Sequence, residues 1–243
     1  MRVKITLSYD GSKFNGFQIQ NNKQKVVTVA GVLTKALKNI NIDTNLIGSG
    51  RTDTGVHATA QVLHCELPKF WSDLNRLKKE LNRVITPSIY IKNIESVSEN
   101  FHARFSAKKR LYRYVLYSGE YQPFLSNYAL HVKSINSMKL NSILKNFIGI
   151  HDFKGFKKLG SDTNSDTREI FKAGAYTHNN MTIIYFLGNS FLRSQVRMMC
   201  SFALAVMEDK FTAKQLKEQL NNEKKYSTGV IPSNGLYLAK IYY

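Results

Sequence analysis

The hydrophobic period of this chain switches repeatedly between two residues and 3.6 residues, and that switching constrains the fold more than any other feature. In "MRVKITLSYDG", Val3, Ile5, Leu7 and Tyr9 alternate with Arg2, Lys4, Thr6 and Ser8, the pattern of a half-buried strand and not of a signal peptide. A Gly-punctuated loop, "YDGSKFNGFQIQ", follows. Thr28 then caps a predicted helix with Leu33, Ala36, Leu37 and Ile40 on one face. "AQVLHCE" reads as a strand, and Ser72 opens a second helix with Leu74, Leu77, Leu81 and Val84 along its stripe. "SIYIKNIES" reads as a further strand. Strand–helix–strand–helix–strand within the first 97 residues points to an α/β sandwich of the split βαβ kind.

The second half repeats the style with different residues. "LYRYVLYS" alternates and is rich in strand formers, and residues 136–148 place Leu140, Ile143, Leu144, Phe147 and Ile148 at helical spacing. "EIFKAGAYTH" and "MTIIYFLG" form a predicted hairpin around His178-Asn179-Asn180. A long helix is expected over Phe191–Met207, a shorter one from Thr212, and a closing strand in "GLYLAKIYY". "KKLGSDTNSD" is polar and turn-rich, an exposed loop. The sequence divides best into 1–103 and 104–243, with no Pro/Gly linker between them.

Thirty-five Lys and Arg against 17 Asp and Glu leave a net charge of +18. Such an excess favours a polyanionic partner, because neutralising phosphates releases condensed counterions. A lysine-rich surface bias would account for part of it, but nucleic acid leads as partner class. Two cysteines, Cys65 and Cys200, build no disulfide framework and suit a reducing, cytoplasmic setting. No apolar run reaches membrane-spanning length.

Asp53 is the one carboxylate in the nineteen residues from Ile47 to Cys65. The glycines around it fit neither phosphate-cradling motif. His57, His64, Cys65 and His102 match no common zinc spacing, so each is read as a satisfied structural residue and no metal is expected. A glycosidase would need a second carboxylate, and none lies in the motif. Asp53-Thr54-Gly55 matches the letters of an aspartic protease, whose two aspartates share a proton and would here have to meet across a dimer. Arg51 would disturb that sharing. Taken alone, "SGRTDTG" is most simply a turn.

Two other stretches shift the balance. In "NFHARFSAKKRLYRYVLY", the cations Arg104, Lys108, Lys109, Arg110 and Arg113 interleave with Phe101, Phe105, Tyr112 and Tyr114. Cations hold phosphates while aromatic faces stack on unpaired bases, although the same tyrosines could equally face a core. If 111–117 is a strand, Tyr112 and Tyr114 share one face and Arg113 points to the other. In "NSFLRSQVRMMCSF", Arg193 and Arg197 lie four apart on a predicted helix, and a part-buried arginine calls for a carboxylate.

With these residues assembled, "GSGRTDTGVHATAQV" closely resembles the G-R-T-D-x-G-V-H-A motif of the TruA family of tRNA pseudouridine synthases. "YDGSKFNGFQIQ" resembles that family's opening loop, and "FHARFSAKKRLYRY" its F-H-A-R-F-S-A segment with the following R-x-Y-x-Y. "DFKGF", "TREI", "NSFLRSQVRMM" and "GLYLAKIYY" follow in family order, so the resemblance spans nearly the whole chain. It departs from the family at Phe17, where tryptophan is frequent, at Ile19, where a polar or basic residue is common, and at Arg193 and Ser194.

The resemblance implies a cofactor-independent isomerisation of uridine to pseudouridine in tRNA, commonly at positions 38 to 40 of the anticodon stem-loop. Asp53 would be the essential carboxylate, acting on the ribose as nucleophile or as base toward a glycal. Tyr112 would pack on the target base, Arg197 would pair with the acid, and Arg51 would fill the place of the extruded uridine. Arg104, Lys108, Lys109 and Arg110 would hold substrate RNA. The implied fold is α+β: two RNA-recognition-like halves joined in a continuous, mainly antiparallel sheet with a central active-site cleft. A homodimer holding tRNA is the implied assembly. The competing readings are a paralogue with another RNA target, a non-catalytic RNA-binding protein and the dimeric protease.

Overall fold

Alternation in the N-terminal segment produces the strand it predicts. β1 (Arg2–Tyr9) buries Val3, Ile5, Leu7 and Tyr9 and leaves the residues between them half-exposed. The structure, a computed structural model, describes residues 1–20, 26–158, 160 and 165–243. These form two units, Met1–Lys108 with Tyr237–Tyr243, and Lys109–Leu236. Each is α+β with a mainly antiparallel sheet.

In the first unit β1 is followed by α1 (Val29–Lys38), β2 (Ile47–Gly48), β3 (His57–Glu66), α2 (Leu74–Ile85) and β4 (Ile89–Ser96). β1 lies between β4 and β3, antiparallel to both. The chain's last strand, β10 (Leu236–Tyr242), adds parallel to β3 with Tyr237 opposite His57. The Tyr237 and His57 rings stack there at 4.7 Å, and Tyr243 Oη donates to the Ala103 carbonyl at 2.8 Å. Thr28 caps α1 as expected, its Oγ1 accepting from Gly31 N at 3.2 Å. Ile40 is not on that helix, which ends at Lys38. The chain turns through a left-handed Asn41, and Ile42 fills the core instead. The cap of α2 is Asp73 and not Ser72, because the Asp73 carboxylate accepts from Arg76 N at 2.9 Å. Its buried arc runs Leu77, Leu81, Ile85, an i, i+4, i+8 line that turns Val84 out to solvent.

The second unit contains β5 (Lys109–Tyr117), β6 (Leu130–His131), α3 (Ser137–Leu144), β7 (Gly149–Asp152), β8 (Thr167–His178), β9 (Met181–Gly188), α4 (Gln195–Met207) and α5 (Ala213–Leu220). Its strands run β5–β9–β8–β7, all antiparallel, with β6 added parallel to the end of β5. The β8–β9 hairpin closes with His178 opposite Met181 across Asn179-Asn180, and Asn179 takes the positive φ that a two-residue turn demands. Helix α3 stops at Leu144 in a tightened 3₁₀ turn, so Phe147 is buried while Ile148 faces solvent. Phe147 anchors an edge-to-face cluster with Phe156 at 5.4 Å and Phe186 at 5.9 Å. Thr212 opens α5 with a full capping box.

Helix α4 begins at Gln195, four residues later than its pattern predicts. Ser194 adopts a left-handed conformation, and the buried Gln195 side chain turns back to accept from Leu192 N at 2.7 Å. The expected loop "KKLGSDTNSD" falls partly outside the described residues, which omit 159 and 161–164. Its flanks, Lys157 and Asp166, are paired at 2.7 Å. Among the described residues no helix is long and apolar enough to cross a membrane.

Candidate active site

The stretch carrying Asp53 leaves β2 and enters β3, and both of its flanks are tied to backbone. On the β2 side, Ser49 N donates to Val62 O at 2.8 Å. The side chain of the fully buried Gln61 reaches across the same bend. Its Oε1 accepts from Ser49 Oγ at 2.7 Å and Val62 N at 3.1 Å, and its Nε2 donates to Gly50 O at 3.0 Å. The strand thus holds the peptide unit directly before Arg51.

The far flank is held by the opening loop. Tyr9 Oη and Thr52 Oγ1 are 2.8 Å apart, Phe17 N donates to Thr52 O at 3.1 Å, and Gly55 N reaches Phe14 O at 3.4 Å. Val56 N donates to Asp53 O at 3.1 Å, closing a turn with Gly55 at φ 78°. Gly11 N donates to His57 Nδ1 at 3.0 Å. This packing explains "FNGF": Gly16 has φ 93°, and a Cβ there would lie 2.8 Å from the Thr52 carbonyl. Phe17 is a packing residue, buried against Gly48, where a Cβ would run into its ring, whereas Ile19 is exposed. Thr52 is buried, Asp53 half-buried and Arg51 exposed, so the turn presents an acid and a cation from a fixed backbone. The plain-turn reading therefore describes the backbone correctly and leaves the side chains to be explained.

Further along the first unit, the "FHARFS" segment folds over β3. Ala103 N donates to His64 Nδ1 at 3.1 Å. Arg104 N and Phe105 N both donate to His102 Nδ1, at 3.2 and 3.3 Å. Burial first, and the neighbouring His102 and Arg2 second, hold the His64 pKa below its usual 6.5. The tight turn pushes Phe105 outward. It is 76% exposed, lies against the His102 ring at 4.3 Å, and carries the Arg104 guanidinium at 5.6 Å. In sequence Phe105 is one of several interleaved aromatics; the fold makes it a displayed ring. Arg104 and Lys108 are both exposed.

In the second unit, Lys109 is exposed with its ammonium 4.9 Å from the Phe171 ring, and Arg110 is half-buried, donating to Asn189 O at 2.7 Å. Tyr112 and Tyr114 do share a face of β5, but their fates differ. Tyr114 is fully buried, donates to Pro232 O at 2.7 Å, and has its phenol pKa raised by burial. Tyr112 is half-buried, edge-on to Phe191 at 5.1 Å. Arg197 on α4 donates from Nε to Ile231 O at 2.7 Å, so Arg197 and Tyr114 hold adjacent carbonyls. The expectation of two arginines four apart on one helix is corrected: Arg193 lies before α4 and is exposed, while Arg197 is on it and half-buried. Arg51, Asp53, Arg104 and Lys108 thus belong to the first unit, and Lys109, Arg110, Tyr112 and Arg197 to the second.

The supporting residues Gln61, Tyr9 and Thr52 were not singled out from sequence. A lone glutamine inside the apolar strand "AQVLHC" was the available signal, since a buried amide needs partners. Among the described residues no group of three or more His, Cys, Asp or Glu is placed to hold a metal ion.

A family profile described as tRNA pseudouridine synthase matches residues 5–106 and 143–243. A Campylobacter jejuni protein named tRNA pseudouridine synthase A is 40% identical over 243 residues, covering all of both chains. Proteins of the same name from Helicobacter hepaticus and Helicobacter pylori are 37% and 38% identical, each over 99% of this chain and 98% of their own. A solved Cbf5-Nop10-Gar1 complex aligns over 80% of this chain and 45% of its own at TM-score 0.37 and 13% identity, too distant a likeness to carry an argument.

Proposed function

This chain belongs to the tRNA pseudouridine synthase family, and from that premise we propose that it isomerises uridine to pseudouridine in tRNA, at positions 38 to 40 of the anticodon stem-loop. The observation that carries the reading is the Asp53 turn. A single acid, with a solvent-facing arginine two residues before it, stands on a backbone tied at Gly50 and at Thr52. One carboxylate is enough for this chemistry. The N1–C1′ bond breaks, the uracil turns, C5 bonds to C1′, and the C5 proton is lost as N1 gains one. The base is retained and no water needs activating.

In this proposal Asp53 acts at the ribose, Tyr112 offers its ring to the target base, and Arg197 pairs with the acid. Arg51 occupies the gap left by the extruded nucleotide. Arg104, Lys108, Lys109 and Arg110 hold phosphates, in keeping with the net charge of +18. Arg110 also donates from Nη1 to Asn189 O, which steadies the guanidinium. The protein works as a homodimer in the cytoplasm.

The test is site-resolved pseudouridine mapping of tRNA and rRNA from cells with and without the protein. Loss of pseudouridine at 38 to 40 is expected, and loss elsewhere instead identifies another target. With purified protein, Asp53→Asn should reduce turnover by about 10²–10⁴-fold or more while tRNA affinity stays within a few-fold. Near-normal turnover would refute the assignment of Asp53. Detection of a sugar-linked enzyme adduct or of a glycal separates the nucleophilic route from proton abstraction.

A further inference from the structure

Phe124 is 90% exposed on the second unit, and its neighbours Tyr121 and Tyr128 are 59% and 40% exposed. Large aromatics displayed this openly are costly in water and mark interaction surfaces when they cluster. The cluster is held in place. Asn234 Nδ2 donates to Ser126 O at 2.6 Å and Ala129 O at 3.1 Å, Val132 N donates to Tyr117 O at 2.9 Å, and Leu125 N to Gln122 O at 3.0 Å. Beside Phe124 opens a cavity of about 340 Å³ walled by Tyr117, Tyr121, Leu125, Leu130 and His131. The Phe124 ring, 90% exposed, is not among its walls.

Charge narrows the occupant. Residues 117–131 contain one acid, Glu120, and no Lys or Arg, although the chain as a whole carries +18. A phosphate backbone finds no cation here, which disfavours RNA. Two copies of so basic a chain repel each other over most of their surface and can approach on a face without that charge. Symmetry supplies the rest. A two-fold interface must be self-complementary, and this face carries both a projecting ring and an adjoining hollow.

We propose that this face docks on the same face of a second copy, with each Phe124 ring entering the other's cavity. The inference rests on the homodimer proposed above and names its contact surface. Sedimentation equilibrium of the full chain, without RNA and near physiological salt, tests it. The wild type should be dimeric, Phe124→Ala should weaken dimerisation by about 30-fold or more, and Phe124→Glu should be monomeric. Phe124→Tyr should stay dimeric. Because Phe124 is so exposed, all three variants should keep the wild type's circular dichroism spectrum at the temperature of the experiment, which separates dissociation from misfolding. A wild-type dimer unaffected by Phe124→Glu would overturn this face and leave the homodimer standing. A monomeric wild type would overturn both, without touching the isomerase reading. A Phe124→Glu protein that keeps its mass but loses tRNA affinity would show the patch to be an RNA contact.

Discussion

Gln61 carries more of the candidate site than its place inside a strand suggests. Its buried amide accepts from Ser49 and Val62 and donates to Gly50, so one side chain fixes the peptide unit before Arg51 on the acid turn. Gln61→Met keeps the length of the side chain and removes all three hydrogen bonds. Removing the buried amide's bonds to Ser49, Val62 and Gly50 should destabilise the fold by about 1–3 kcal/mol. If the amide sets the pitch of the Arg51–Asp53 turn, turnover should fall further than a stability loss explains, by about 10–100-fold at saturating tRNA. The Michaelis constant should change little. Ser49→Ala, which removes one of the three bonds, should give a smaller effect in the same direction. Single-turnover kinetics measured well below the melting temperature check this, and a normal rate in Gln61→Met would make the amide purely structural.

At the scale of elements, legibility followed the local physics. β1, the α1 cap at Thr28, the β8–β9 hairpin and the α5 capping box depend on residues close in sequence, and each formed where its pattern lies. The start of α4 and the exposed Val84 and Ile148 depend on what packs alongside, which periodicity does not encode. The return of β10 to pair with β3 is a contact across most of the chain, and nothing within "GLYLAKIYY" names its partner. Asp53, Arg51, Tyr112 and Arg197 are proposed from motif resemblance, whereas the hydrogen bonds that pose the turn had no sequence pattern to announce them. The "FHARFS" turn shows the same division, since its anchor on His64 is a strand residue about forty positions earlier. That anchor is sensitive to acid. His64 accepts from Ala103 N and so must stay unprotonated on Nδ1, while Arg2 and His102 oppose its charge and Glu66 favours it. A histidine with a depressed folded-state pKa binds fewer protons folded than unfolded, so its contribution is complete above about pH 6.5 and is lost as pH falls through the folded value. His64→Asn, which keeps a side-chain acceptor and cannot titrate, should give a shallower loss of stability from about pH 7 to 5 than the wild type. Denaturant midpoints across that range measure it, and parallel slopes would locate the acid sensitivity elsewhere.

For the whole molecule, the excess of 35 basic over 17 acidic residues sets how the chain meets its substrate. Charge of this kind supplies affinity without sequence information, so it delivers tRNA to the protein and leaves the choice of uridine to the shaped residues. The exposed cations divide accordingly. Arg104 lies over a displayed ring, Lys108 is exposed and Lys109 lies over Phe171, while Arg51 rises from the acid turn itself. A phosphate contact made by Lys108 should appear as one released counterion. Lys108→Ala should then lower the magnitude of the log-affinity against log-salt slope by about 0.7–0.9 and weaken binding equally for substrate tRNA and for tRNA already carrying pseudouridine. Arg51→Ala should behave differently, because an arginine that replaces an extruded base acts after encounter. Its salt slope should change by less than that of Lys108→Ala while turnover drops by about tenfold or more. Binding isotherms between about 50 and 200 mM salt, paired with turnover at one salt, separate the two. If Arg51→Ala lost affinity with the full salt dependence of a phosphate contact and kept its turnover, Arg51 would belong with the delivering charge and not with the site.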